Sequence, residues 1–105
     1  DLYLSIHLNY LTDSSYWGAQ VFYSDEKNKE IASSIQKIIN DELKNNREEK
    51  KIPSKTYMYS KLNRPGVLIE CGFLSNEKEK NLLITQEYQQ KLAKVITNGV
   101  IDVFN

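Results

Sequence analysis

The run Gly66-Val67-Leu68-Ile69-Glu70-Cys71-Gly72-Phe73 is almost wholly apolar, yet it carries one carboxylate near its end. A run that oily reads as a strand buried on both faces of a sheet. A carboxylate set in it costs several kcal/mol of desolvation unless a cation or a hydrogen-bond network compensates it. Glu70 is therefore a candidate for pKa-tuned chemistry or for neutralising a metal centre. The only histidine, His7, ends a second strand-like stretch, Leu2 to Asn9. There Leu2, Leu4, Ile6 and Leu8 alternate with Tyr3, Ser5, His7 and Asn9, which assigns them to opposite faces. If the two strands lie parallel in one sheet, His7 and Glu70 open into the same crevice beyond the strand C-termini. That crevice is where open α/β sheets bind ligands.

At 105 residues the chain holds one domain at most, near the lower size limit for an adequate core. Basic and acidic residues balance at 14 each, so no global field attracts nucleic acid or an acidic membrane. No apolar run approaches the roughly 20 residues a bilayer span needs, and no secretory leader pattern is present. The one cysteine, Cys71, excludes an internal disulfide and reads as a small packed hydrophobe rather than a reactive thiol. The chain opens abruptly on a strand, which reads as part of a domain.

Beyond the first strand, Thr12 to Ser15 have turn chemistry, and Gly18 to Tyr23 read as a second strand. Asp25 is placed to cap a helix from Lys27 to Leu43. Ile31, Ile35, Ile38, Ile39 and Leu43 form the core-facing side of that helix. Asn45 to Ser54 reads as an exposed loop whose charges (Arg47, Glu48, Glu49, Lys50, Lys51) are simply solvated. Thr56 to Leu62 is a short strand candidate, and Pro65 marks entry to the strand carrying Glu70. Asn76 and Glu79 are spaced as a capping box for a short helix to Leu83. Thr85 caps a last helix whose apolar side is Tyr88, Leu92, Val95, Ile96, Gly99 and Val103. This order predicts an α/β domain with a mixed, largely parallel sheet and helices on both faces.

Taken as residue types alone, His7 and Glu70 leave alternatives open. A lone histidine on a strand's polar face is commonly a hydrogen-bonded structural residue, and Glu70 could be neutralised by Arg64 or Lys61. No glycine-rich loop precedes a helix, and neither CxxC nor HExxH is present, which removes phosphate cradling and two familiar metal motifs. Trp17 and the seven tyrosines could stack on sugars or bases, although most aromatics of this kind are half-buried packing.

Two segments resemble a known family. Ser5-Ile6-His7-Leu8-Asn9 resembles the S-I-H-x-N segment of zinc-dependent N-acetylmuramoyl-L-alanine amidases, the large cell-wall amidase family. Pro65 to Asn76 resembles its later P-x-V-L-x-E-x-G-F-L-S-N segment. Gly18 to Tyr23 and the helix from near Glu87 extend the match in order and spacing. The resemblance implies a Zn2+ enzyme in which His7 is one metal ligand, Glu70 is the catalytic carboxylate and Asn9 contributes to substrate binding. The bond cleaved would be the amide between N-acetylmuramic acid and the L-alanine of the peptide stem. The substrate would be the glycan-peptide of peptidoglycan and the location extracytoplasmic: cell wall, periplasm or spore cortex. The abundance of Lys, Asn and Ile points to an AT-rich bacterial genome, with sporulation or germination as one setting.

A catalytic zinc usually has three protein ligands and one open position. The family draws a histidine and a glutamate from upstream of S-I-H-x-N, and this chain has no second histidine. Residues 1–105 are thus expected to be the C-terminal part of one amidase catalytic domain. Its N-terminal half is the implied partner, and this part alone would be inactive. An accessory protein is a further partner left open. The competing reading is an inactive amidase-like module that binds peptidoglycan or a partner protein without cleaving. A generic α/β interaction domain leaves Glu70 unexplained.

Overall fold

The structure is a computed structural model and describes residues 2–52 and 66–104. The expected strand at Thr56 to Leu62, and the neighbours Lys61, Arg64 and Pro65, lie outside the described residues. Strands β1 (Tyr3–Asn9), β2 (Gln20–Tyr23), β3 (Lys50–Lys51) and β4 (Gly66–Phe73) form one sheet in the order β1-β4-β2-β3. β1 runs parallel to β4 and β3 parallel to β2, while β2 and β4 are antiparallel. The sheet is therefore mixed and mostly parallel, as the order of elements predicts. The helices are α1 (Lys29–Leu43), α2 (Glu77–Leu83) and α3 (Gln86–Val103).

The register fixes which side chains share a face. Val67 and Ile69 of β4 stand beside Leu4 and Ile6 of β1 and beside Tyr23 and Val21 of β2. This face packs on α1 and α3, through Ala32, Ile35 and Ile39 from the first and Leu92, Val95 and Ile96 from the second. The isoleucine spacing of α1 and the apolar side of α3 thus do what their periodicity predicts. Gly99 lets the two helices approach closely, since a Cβ there would lie 3.3 Å from Ile35 Cγ2. At the other ends, Asp25 caps a 3-10 turn (Glu26–Asn28) that leads into α1, and Thr85 Oγ1 accepts from Tyr88 N at 3.3 Å to cap α3.

Three expectations need correcting. β4 is fully buried only on its helix side: Leu68 and Glu70 on the opposite face are half-buried. Likewise the alternating leucines of β1 are covered only at its start. Leu2 and Leu4 pack on the core, whereas Ile6 and Leu8 are 58% and 49% exposed. The connection after α1 is a solvated loop only in part: Glu48, Lys50 and Lys51 are exposed, whereas Asn45 and Arg47 are half-buried. Lys44 takes a left-handed conformation that ends the helix, and the Asn45 side chain then pairs with both backbone groups of Ala19. Arg47 donates to Trp17 O and to Gln20 Oε1, and its guanidinium lies 5.3 Å from the centre of the Phe73 ring. Lys50 and Lys51, poor strand formers, pair with β2 because this network delivers them there.

Candidate active site

His7 and Glu70 are direct partners in the parallel β1/β4 pairing, on the face away from α1 and α3. Both stand near the C-terminal ends of their strands, where the parallel arrangement was expected to bring them together. Just beyond, the register shifts between His7 and Asn9, so that Asn9 stands beside Phe73. The irregularity turns the chain out of the sheet, and Asn9 O accepts from Leu74 N at 2.8 Å to hold the turn.

Glu70 has the properties that a reactive carboxyl requires. Its Oε2 is buried and has no hydrogen-bond partner among the described residues, an arrangement that native proteins rarely tolerate without a reason. Burial pushes its pKa above the ordinary carboxylate value, and the charge of neighbouring His7 pulls it partly back. Its neutralisation by Arg64 or Lys61 lies outside the described residues. The His7 ring is held by its own strand, with Nε2 2.8 Å from Ser5 Oγ. Asn9 Oδ1 accepts from Tyr10 N at 2.8 Å, which orients its side-chain amide. Cys71, next to Glu70, is buried, and burial together with the Glu70 charge raises its pKa to about 11. That thiol is unreactive at neutral pH, in keeping with its reading as packing.

The described residues supply part of a metal centre and not the whole of one. Among them no group of three His, Cys, Asp or Glu side chains gathers closely enough to hold an ion. The donor chemistry nevertheless fits a dication: a strand-borne imidazole beside an orphaned carboxylate oxygen is a site short of positive charge.

A second carboxylate, Glu79, was legible only as part of a capping box, and half of that box is formed. Asn76 Oδ1 accepts from Glu79 N at 3.0 Å, but the Glu79 side chain does not return to Asn76. It is buried instead, accepting from Gly18 N at 3.0 and 2.9 Å and from Phe73 N at 2.6 Å. The missing side chain of Gly72 makes the room, because a Cβ there would come within 2.8 Å of Glu79 Cδ. Glu79 thus ties the start of β2 to the end of the strand that carries Glu70. Clefts flank Trp17 on this rim.

Similarity to known proteins is consistent along the chain. The family model described as N-acetylmuramoyl-L-alanine amidase matches residues 1–102. A germination-specific N-acetylmuramoyl-L-alanine amidase of Bacillus subtilis is 38% identical over 99% of this chain and 45% of its own length. The CwlD amidase of Clostridioides difficile, solved in complex with the GerS lipoprotein, is 42% identical with a TM-score of 0.89. The match covers 96% of this chain and 53% of that one. An N-acetylmuramoyl-L-alanine amidase from Clostridium difficile 630 superposes with the same TM-score at 30% identity, covering 99% of this chain and 57% of its own. The chain spans about half the length of these relatives.

Proposed function

Because this chain belongs to the N-acetylmuramoyl-L-alanine amidase family, we propose that it carries the catalytic base and one metal ligand of a zinc-dependent peptidoglycan amidase. The observation that carries the reading is the buried Oε2 of Glu70, in register with His7 and without a hydrogen-bond partner among the described residues. His7 would hold the zinc together with ligands from outside the described residues. When bound, the metal supplies Lewis-acid polarisation of the scissile carbonyl and a water made nucleophilic near neutral pH.

The remaining chemistry belongs to Glu70. Its raised pKa suits a group that takes a proton from the attacking water and returns it to the departing L-alanine amine. Half-burial limits competing solvent around Oε2, and the sheet backbone fixes the carboxyl against His7. The Ser5 hydroxyl orients the imidazole, as the outer partner of a metal-ligating histidine does. Asn9, at the turn out of β1, is the substrate-side amide of this arrangement. The substrate is the muramoyl–L-alanine amide of peptidoglycan, which sets the place of action outside the cytoplasm, in wall or spore cortex. Among the described residues no helix is long and apolar enough to cross a membrane. An accessory lipoprotein is a partner to seek, given the complex formed by the clostridial relative.

The decisive test is His7→Ala in full-length protein, with zinc measured by elemental analysis and stem release measured on purified wall. One of three protein ligands is then missing, so stoichiometric zinc and turnover should both be lost. Zinc content at the wild-type level would remove His7 from the centre. Zinc-replete wild type without stem release would favour the inactive binding module.

A further inference from the structure

Arg47 stands beside the row of side chains that contains Glu70. Gln20 is directly opposite Glu70 in the β2/β4 pairing, as His7 is in the β1/β4 pairing, so the three project from one face of the sheet. Gln20 is buried, and Arg47 Nη2 donates to its Oε1 at 2.6 Å. Paired side chains lie about 5 Å apart across strands, which sets the guanidinium about 10 Å from the Glu70 carboxyl.

Phe73 turns to the same side. The register shift in the β1/β4 ladder sets it beside Asn9, and it takes no part in the core formed with α1 and α3. Its ring carries the Arg47 guanidinium at 5.3 Å and the stacked Tyr16 ring at 6.1 Å, centre to centre.

Arg47 is held in place without being neutralised. Its second bond, from Nη1 to Trp17 O at 3.2 Å, again goes to an uncharged acceptor, and among the described residues it makes no ion pair. The two bonds use one N–H of each terminal nitrogen. The remaining N–H groups have no acceptor among the described residues. A half-buried guanidinium with fixed, spare donors suits a planar anion.

The surroundings fix the direction from which an anion can come. Arg47 opens into a cleft of about 370 Å³ formed with Ser15, Tyr16, Trp17 and Asn46, and it is the only charged side chain there. On its other side a depression toward α1 already carries Asp41, Glu48 and Glu49 against Lys37, which repels an anion. A nucleic acid or other polyphosphate would call for a row of cations. One guanidinium between aromatic rings suits a single carboxylate on a peptide.

We propose that Arg47 anchors a peptide subsite and pairs with a carboxylate of the stem whose first amide lies at Glu70. A peptide extends by about 3.3–3.6 Å per residue, so the second or third stem residue comes level with Arg47. The identity of the peptide rests on the amidase reading above, whereas the pairing itself does not require hydrolysis.

The test uses full-length protein and synthetic stem peptides without the sugar, their carboxyl groups either free or amidated, with affinity read by calorimetry. Wild type should bind the free acid about tenfold more tightly than the amidated peptide, the scale of a charge-assisted pair. Arg47→Gln should bind both forms alike. A purely structural arginine could lower both affinities but would leave their ratio unchanged. Equal affinity of wild type for the two forms overturns the proposal, and so does a preference that persists in Arg47→Gln. If that variant misfolds, Arg47→Lys is read instead. It should lose most of the preference, because an ammonium lacks the paired planar donors, and an undiminished preference there overturns the proposal equally. Arg47-dependent preference in zinc-replete protein that releases no stem from wall would leave the subsite standing and remove the amidase reading. Stem release with affinity indifferent to amidation would do the reverse.

Discussion

Glu70 and Glu79 stand nine positions apart on either side of one turn, and they resolve the same physical problem in opposite ways. Each takes a carboxylate out of water. Glu79 is supplied with three backbone N–H contacts from Gly18 and Phe73, so its charge is compensated by groups that themselves needed acceptors. Glu70 has an oxygen with no hydrogen-bond partner among the described residues and a pKa raised by burial. The first arrangement stabilises a connection, and the second keeps a carboxyl unsatisfied and available. The contrast teaches that burial of a charge does not by itself mark chemistry; the unfilled hydrogen-bonding capacity does.

The contrast breaks most visibly under neutral substitution. Glu70→Gln should cut turnover by about 10²–10⁴-fold, the usual contribution of general acid–base catalysis, while the fold and bound zinc survive. Stem release beside zinc content measures this, and near-normal turnover with zinc retained would make Glu70 a structural residue. Glu79→Ala should do the opposite, costing stability before chemistry. It leaves the N–H groups of Gly18 and Phe73 without acceptors, at about 1–3 kcal/mol each. A urea titration should show that loss, with Glu79→Gln giving a smaller one because an acceptor oxygen remains.

Gly72→Ala sharpens the same point from the other side. The new methyl group would press on Glu79 Cδ, and displacing that fixed side chain should cost about 1–3 kcal/mol. In a Glu79→Ala background most of that cost should vanish, a coupling that a double-mutant cycle reads directly. Smallest is a pH effect in metal-free protein. Folded Glu70 holds its proton above the ordinary value of 4.5, so folded chains bind more protons there than unfolded ones. Stability should therefore fall as pH rises from that value through the raised folded-state pKa, then level off. Glu70→Gln should flatten that segment of the curve, and melts across the window that show the same slope in both proteins would refute it.

Sequence carried the parts of this molecule that depend on local repetition. The spacing of Ile35 and Ile39, the run Val67 to Ile69, and the caps at Asp25 and Thr85 state their own secondary structure. The runs around His7 and Glu70 read as strands, and their meeting was conditional on a parallel pairing, which the register shows. What stayed hidden depends on partners far along the chain. Glu79 reads as the returning half of a capping box with Asn76, because its acceptor role needs Gly18, 61 positions away. Gly72 was the one local sign, a residue without a side chain next to the turn that Glu79 fills. Arg47 looked like one charge in a charged run until Trp17, Gln20 and Phe73 were seen around it. The bend after His7 left no mark in the alternation of β1, so the exposure of Ile6 and Leu8 could not be read there.

The parallel pairing of β1 with β4 has a kinetic consequence. Each partner pair, Tyr3 with Gly66 through His7 with Glu70, is separated by sixty-three positions. Loop closure over that span must be paid for in entropy before any contact returns it, so this ladder belongs to the slow, high-contact-order part of folding. The helices and the β2–α1 unit can form from neighbours, whereas His7 and Glu70 meet only when the two strands register. An incompletely folded chain therefore has no paired site, and the juxtaposition of His7 with Glu70 appears only with this long-range closure.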